Sequence, residues 1–220
     1  MRLHSYLSAL AFLLIVGCST TRPAAGTVPT GTRFTPEQRA MIMAAGPDEP
    51  MRVWKITDRS DSLLLRTESE DVRVDPSDPV LTRFLARLHA TVTDSASLGL
   101  GIAAPQVGIL KNIIWVQRLD KEDLPWEVFL NPVIRQYSEK KQLNREGCLS
   151  IPNRRDTCSR AYAVLMEYDR PDGSHGIEMV EDFTSVIFQH EVDHLNGILF
   201  LDHLAEEQRQ NAAHVPVGRE

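Results

Sequence analysis

The segment FTSVIFQHEVDHLNGILF, residues 183–200, is the most informative part of the chain, because it predicts a long helix that carries candidate metal ligands. We expect the helix to run from about Phe183 to Phe200, interrupted only at Gly197. His190 and His194 are four residues apart, so a helix places both imidazoles on one face, where they can bind one metal ion. The same short pattern also arises by chance, when two histidines merely decorate an exposed helix.

A hydrolytic metal site needs a base, a third protein ligand and one open position for water. Glu191 is placed to take a proton from a water molecule that the metal activates. His203 lies nine residues beyond His194, which is too far along one continuous helix to share a metal ion. Upstream, Cys148 follows a glycine at a predicted strand edge. Two imidazoles and one thiolate suit zinc or ferrous iron, although a lone cysteine is more often a small buried hydrophobic residue.

The rest of the pattern predicts an α+β fold, with mostly antiparallel strands packed around the central metal-binding helix. Thr35-Pro36-Glu37-Gln38 is typical of a helix start, and a second helix begins after Asp78-Pro79. Its apolar residues recur at helical spacing. The predicted strands are Asn112–Gln117, Glu127–Pro132, Tyr162–Tyr168 and Gly176–Val180, the last two joined by a turn over residues 169–173.

The composition is that of a soluble globular protein. The chain has 220 residues, of which 42% are hydrophobic and 25% charged, enough for one domain with a sizeable core. A net charge of −6 without a long basic block argues against a dedicated nucleic-acid binder. Three cysteines are too few for a disulfide scaffold, and no run of 18 apolar residues is present to span a bilayer.

The first 34 residues are predicted to lie outside the fold. Residues 1–18 have a basic start, an apolar stretch over Leu7–Val16 and the sequence Ile15-Val16-Gly17-Cys18. They resemble a lipoprotein signal peptide, in which Cys18 becomes the lipidated first residue of the mature chain. Residues 19–34 are dominated by Ser, Thr, Pro and Gly, which predicts a flexible tether. A buried N-terminal helix or an uncleaved anchor remains the alternative.

Three segments of the chain belong together: Gly99-Leu100-Gly101-Ile102-Ala103-Ala104-Pro105-Gln106, Glu146-Gly147-Cys148-Leu149-Ser150 and Gln189-His190-Glu191-Val192-Asp193-His194. In this order, they resemble the three signature motifs of the peptide deformylase family. The similarity extends from about Leu64 to Leu204. The predicted organisation is then a signal at 1–18, a tether at 19–34, a deformylase-like catalytic domain at 35–210 and a tail at 211–220.

The resemblance implies a metal-dependent hydrolase that removes the formyl group from N-formylmethionyl peptides and releases formate. Cys148, His190 and His194 would bind one divalent metal ion, Fe2+ or Zn2+, with Ni2+ or Co2+ accepted in vitro. Glu191 would act first as a general base and then as a general acid. The oligomeric state stays open.

The resemblance also assigns residues around the metal. The Gln106 side-chain amide and the Leu149 backbone N–H would form an oxyanion hole. Gly101 would leave room for a peptide backbone that pairs like an added strand. Val186 and Ile187 would line a pocket for the methionine side chain, although packing inside the protein explains them about as well.

Two further expectations concern the neighbourhood of Cys148. Glu146 would support the ligand loop, or pair with an arginine such as Arg155 or Arg160. Cys158 lies ten residues after Cys148, and a disulfide between them would destroy the site. We expect Cys158 to be a buried thiol instead.

Export sets this sequence apart from family members that act in the cytoplasm. A lipidated Cys18 would anchor the protein to a membrane of the bacterial envelope, facing the periplasm, whereas an inactive signal would leave it cytoplasmic. Two alternative functions follow: hydrolysis of another small amide by the same fold, and a non-catalytic peptide- or metal-binding lipoprotein. Retention of the candidate base Glu191 favours catalysis over binding alone.

Overall fold

The computed structural model describes residues 31–95, 97 and 99–213. The predicted signal peptide with Cys18, most of the predicted tether and the end of the predicted tail lie outside the described residues. Among those that are described, no helix is both long and apolar enough to cross a membrane. The helices are α1 (Pro36–Met43), α2 (Arg59–Leu65), α3 (Pro79–Thr93), α4 (Asp182–Leu195) and α5 (Phe200–Ala213). The strands are β1 (Gly101–Ala103), β2 (Ile113–Gln117), β3 (Trp126–Tyr137), β4 (Lys141–Cys148), β5 (Ile151–Ala161), β6 (Ala163–Asp169) and β7 (His175–Glu181), with a short 3-10 helix over Ala104–Val107.

The strands form two antiparallel groups. In the described part of the chain, five strands make one sheet in the order β1-β2-β3-β6-β7, and β4 pairs with β5 in a separate hairpin. The predicted turn after β6 is confirmed, because Asp169 pairs with His175 and Gly173 adopts a φ of 84° between them. The α+β fold class predicted from the sequence is confirmed.

The larger sheet is covered on both faces. Successive residues point to opposite sides of a strand, so Ile113 packs with the α3 side of the core while Ile114 packs with the α4 side. Helix α3 starts where predicted, since Asp78 accepts a hydrogen bond from Val80 N. Helix α4 covers the other face and lies in the interior of the protein. Its Phe188 is fully buried, with a ring centroid 4.7 Å from that of Phe129 in the sheet.

Polar side chains fix α4 against the end of strand β5. The Gln189 amide makes two hydrogen bonds with the backbone of Ala161, accepting from its N–H at 3.0 Å and donating to its carbonyl at 2.9 Å. One turn earlier, the Ser185 hydroxyl donates to the carbonyl of Tyr162 at 2.9 Å. These bonds set the axial position of the helix, and hence the height of the residues that follow Gln189.

The prediction of one helix up to Phe200 is wrong. Helix α4 ends at Leu195, and a separate helix, α5, begins at Phe200. Gly197 adopts a φ of 68°, and a Cβ atom there would lie 2.5 Å from the carbonyl oxygen of Arg66. The chain therefore turns at a position that only glycine fits, which ends the helix rather than interrupting it.

The predicted end of the tether at residue 34 is also wrong. Phe34 is buried in the core, with its ring 5.7 Å from that of Phe84. Thr32 bridges to Val72, and its hydroxyl accepts a hydrogen bond from the buried Lys111 ammonium. One aromatic side chain is enough to attach a polar segment to the core, a contact that composition averaged over sixteen residues does not show.

Candidate metal centre and active-site cleft

Helix α4 brings the two candidate imidazoles together. The rings of His190 and His194 lie one turn apart, with centroids separated by 5.0 Å. His194 is buried, whereas His190 is partly accessible from a cleft that runs between α4, β1 and β4. The predicted pairing of the histidines on one helix face is confirmed.

Cys148 completes the group from the other side. It is the last residue of β4, at the tight turn of the hairpin, and its Sγ atom is 3.2 Å from His194 Nε2. The ligand atoms of Cys148, His190 and His194 all lie within 4.8 Å of one another. Burial favours the neutral thiol, but the two adjacent imidazoles outweigh it and lower the pKa of Cys148 to about 5. A thiolate with two imidazoles is a donor set that fits Zn2+ or Fe2+.

A buried chain of ionic contacts orients His190. Its Nδ1 atom lies 2.8 Å from Glu146 Oε2, which leaves Nε2 directed toward the other two ligands. The Arg160 guanidinium donates to Glu146 Oε1 at 2.7 Å and to Asp193 Oδ2 at 2.6 Å. Burial alone would raise the pKa of Glu146, but these partners lower it to about 2. Of the two arginines proposed as partners of Glu146, Arg160 makes the contact. Arg155 lies on the other face of the hairpin, opposite Gly147.

His203 contacts Asp193, the acidic residue that also binds Arg160. Its Nε2 atom is 2.7 Å from Asp193 Oδ2, and the side chain lies on α5. The sequence placed His203 beyond reach on a continuous helix; the helix is not continuous, but His203 is still not among the three grouped ligands. Asp193 is a residue that sequence reasoning did not assign, although its place inside the histidine motif was a usable signal.

Glu191 lines the same cleft as Cys148 and His190. The side chain is only 4% exposed, and its Oε2 atom has no hydrogen-bond partner among the described residues. Burial raises the pKa of its carboxyl to about 7. A Cβ atom at Gly101 would lie 2.5 Å from Glu191 Oε1. The sequence analysis explains Gly101 by the need for room beside a bound peptide. In the structure, the carboxylate of Glu191 occupies the space that a side chain at position 101 would need.

Gln106 also lines the cleft and approaches the sulfur atom of Cys148. It lies in the short 3-10 helix after β1, and its Oε1 atom accepts a hydrogen bond from Ala103 N at 2.9 Å. This bond directs the amide Nε2 toward Cys148 Sγ, at 3.6 Å, and Ser150 Oγ, at 3.3 Å. Leu149, in the turn of the hairpin, lines the cleft beside them.

The cleft around these residues has a volume of about 1000 Å³. Val186 and Ile187 line it, as predicted, and both are also packed in the interior. Phe183 lines it too and was missed by the sequence analysis. Its helical spacing from Val186 and His190, on one face of α4, was the signal that identifies it. These side chains form an apolar wall next to the metal ligands.

Cys158 is a buried free thiol, as predicted. It pairs with Asn144 across the hairpin, whereas Cys148 pairs with Ile151 at the turn. Four residues along a strand separate these positions by about 13 Å, which is beyond the reach of a disulfide.

The fold and the site define the class of protein, a metal-binding hydrolase with a Cys-His-His group, a buried carboxyl group beside it and an open cleft. The family model described as polypeptide deformylase matches residues 53–210. A peptide deformylase of Desulfotalea psychrophila is 35% identical over 161 residues, covering 72% of this chain and 92% of the relative.

Solved structures agree with the family model. The structure of a class I type b peptide deformylase from Acinetobacter baumannii bound to Met-Ala-Ser aligns with a TM-score of 0.62 at 33% identity, covering 71% of this chain and 99% of that one. The actinonin-bound structure of the same enzyme gives a TM-score of 0.62 at 33% identity, with coverages of 70% and 98%. The chain therefore belongs to the polypeptide deformylase family.

The two described cysteines allow a matched test of the metal centre. Cys148→Ser should lower metal affinity by about 100-fold or more, because losing even an outer partner of a ligand costs about 10- to 100-fold. Cys158→Ser should bind metal like the parent protein, since this thiol lies outside the ligand group. Metal per chain would be measured by atomic emission after dialysis against increasing chelator concentrations. Equal retention by both variants would contradict the assignment of Cys148.

Proposed function

We propose that this chain hydrolyses the formamide bond of N-formylmethionyl peptides. The oxygen of a water molecule adds to the formyl carbon, the carbon–nitrogen bond breaks, and formate and a free amino terminus are released. The observation that carries this proposal is that three groups meet in one cleft: the ligand atoms of Cys148, His190 and His194, the carboxyl group of Glu191 and the amide of Gln106. The Oε2 atom of Glu191 has no hydrogen-bond partner among the described residues.

The metal role falls to Cys148, His190 and His194. The donor set is compatible with Fe2+ and with Zn2+, while Ni2+ and Co2+ are candidates for substitution in vitro. When bound, such an ion supplies Lewis-acid polarisation and lowers the pKa of water. The contact of His190 Nδ1 with Glu146 leaves its Nε2 atom available for a metal ion. His194 presents its own Nε2 atom to Cys148 Sγ, at 3.2 Å, on the same side.

Glu191 handles the proton. Its carboxylate takes a proton from the attacking water and delivers it to the departing amine nitrogen, which cannot leave as an anion. Burial brings the pKa of this carboxyl to about 7, so both directions of proton transfer are accessible near neutral pH.

Gln106 and Leu149 stabilise the charge that grows on the formyl oxygen. We assign the Nε2 amide of Gln106 and the backbone N–H of Leu149 as the two donors. Gln106 is 2% exposed and held by Ala103, so it needs no reorganisation when the charge develops.

The substrate lies between two strand edges. In the described part of the chain, β1 is an outer strand of its sheet and β4 pairs only with β5, so each offers a free edge to an extended peptide. Gly101 lies on the β1 side of this gap. The methionine side chain then packs against the apolar wall formed by Phe183, Val186 and Ile187.

Substitutions at the two polar groups test the mechanism. Glu191→Gln keeps the shape of the side chain but removes the base, so formate release should fall by about 1000-fold or more with metal content unchanged. Gln106→Ala should cost about 100- to 1000-fold in kcat, the usual effect of losing one oxyanion donor. Formate release from a formyl-Met peptide measures both. A Glu191→Gln protein that retains activity would contradict the assigned base.

We further propose that the enzyme is an exported lipoprotein attached to the envelope through Cys18. Support comes from the apolar stretch Leu7–Val16, the lipobox-like sequence that ends at Cys18 and the polar composition that follows it. In addition, the first described residues join the fold near Thr32 and Lys111, and neither of these lines the cleft. Attachment at the amino terminus thus leaves the cleft accessible.

Export has a direct cellular test. The full chain expressed in a bacterium should incorporate a fatty-acid label and fractionate with membranes, and Cys18→Ser should lose the label. Mass spectrometry of the mature amino terminus provides a second readout. An unlabelled cytosolic protein that retains residues 1–18 would contradict export and leave the deformylase proposal unchanged.

A further inference from the structure

Two arginines project from the hairpin that carries Cys148. Across the β4–β5 pair, Gly147 is opposite Arg155 and Arg145 is opposite Thr157. Arg145 and Arg155 are therefore diagonal neighbours on one face of the hairpin, with backbones about 7–8 Å apart. Glu146 points to the other face, where it is buried against Arg160. The exposed face thus holds two adjacent positive charges.

In the described part of the chain, no carboxylate neutralises either charge. Among the described residues, Arg145 and Arg155 have no carboxylate within ion-pair distance, whereas the nearby Arg154 contacts Asp156 at 3.2 Å. The next residues on the same face of the hairpin are Thr157, Leu143 and Ser159, none of which is acidic. Two like charges held side by side repel each other, so an anion between them is favoured.

Both side chains border the active-site cleft. Arg145 and Arg155 line it together with the ligand Cys148 and the apolar wall on α4. The Arg155 side chain lies along Gly147, since a Cβ atom built on that glycine would be 3.1 Å from Arg155 Cγ. Gly147 immediately precedes Cys148 in the sequence, so the Arg155 side chain contacts the residue next to a candidate metal ligand.

We propose that Arg145 and Arg155 form a carboxylate-selecting wall of the substrate cleft. The inference rests on the proposed deformylase function and specifies its substrate: formyl-methionyl peptides with a carboxylate a few residues beyond the formyl group. That carboxylate is either an acidic side chain or the free carboxyl terminus of a short peptide. Guanidinium groups bind carboxylates in a planar, two-bond geometry that suits this choice.

Matched peptides test the preference. Formyl-Met-Ala-Ser is compared with its carboxyl-terminal amide, and the amides of formyl-Met-Asp-Ser and formyl-Met-Asn-Ser are compared with each other. The first pair isolates the terminal carboxylate and the second isolates the side chain. We expect kcat/KM to favour the anionic member of at least one pair by about three- to tenfold at low salt, in the range of one partly exposed ion pair.

The double variant Arg145→Gln, Arg155→Gln should reduce that preference to about one while retaining turnover of the neutral peptides. Arg39→Gln removes the same charge from exposed α1, away from the cleft, and should leave the preference unchanged. If the arginines had a purely structural role, the double variant would instead lower kcat/KM equally for all four peptides. Two ratios near one in the parent protein, or a preference that survives in the double variant, would overturn the inference.

Binding separates this inference from the function on which it rests. The zinc-loaded Glu191→Gln protein is titrated calorimetrically with Met-Ala-Ser and with its amide, and with the corresponding Asp and Asn peptides. Tighter binding of an anionic peptide, lost in the double arginine variant, supports the inference even if no formate release is found with the active protein. Equal binding within both pairs overturns it even if the protein deformylates every peptide.

Discussion

The buried ionic contacts from Asp193 through Arg160 and Glu146 to His190 join two elements that are far apart in sequence. They tie helix α4 to the hairpin that ends at Cys148, and the three ligands meet only if both are held together. Burying charge is costly, and removing one member leaves the others without compensation. In this protein, the buried ionic contacts fix the orientation of the His190 imidazole and hold helix α4 at a set distance from the hairpin turn at Cys148.

The residues of the site could be predicted from the sequence because their chemistry depends on short spacings. His190 and His194 need only a helix, and Glu191 needs only to be their neighbour. Cys148 had to be found through its motif, since no local rule relates the end of a strand to a histidine 42 residues later, as His190 is. The choice between Arg155 and Arg160 as the partner of Glu146 was open for the same reason. Strand alternation decides it, because Arg160 lies on the buried face and Arg155 on the other.

The errors have a common physical origin. Helix α4 was expected to continue past Gly197 and the tether to extend to residue 34, and both errors come from contacts that are distant in sequence. The backbone at Arg66 leaves no space for a side chain at position 197, and Phe34 finds a place beside Phe84. Gly101 shows the same effect inside the site, where the carboxylate of Glu191 fills the space that a side chain would need. Local patterns predict elements, and tertiary contacts decide where they end.

We propose that one metal ion, held by Cys148, His190 and His194, makes this cleft a deformylase. The most direct test is an anaerobic titration of the metal-free protein with Fe2+ or Zn2+ while formate release from a formyl-Met peptide is recorded. Binding of one ion per chain predicts a rate that rises with added metal and levels off at one equivalent per chain. A rate that does not depend on metal, or one bound equivalent without any formate release, would contradict it.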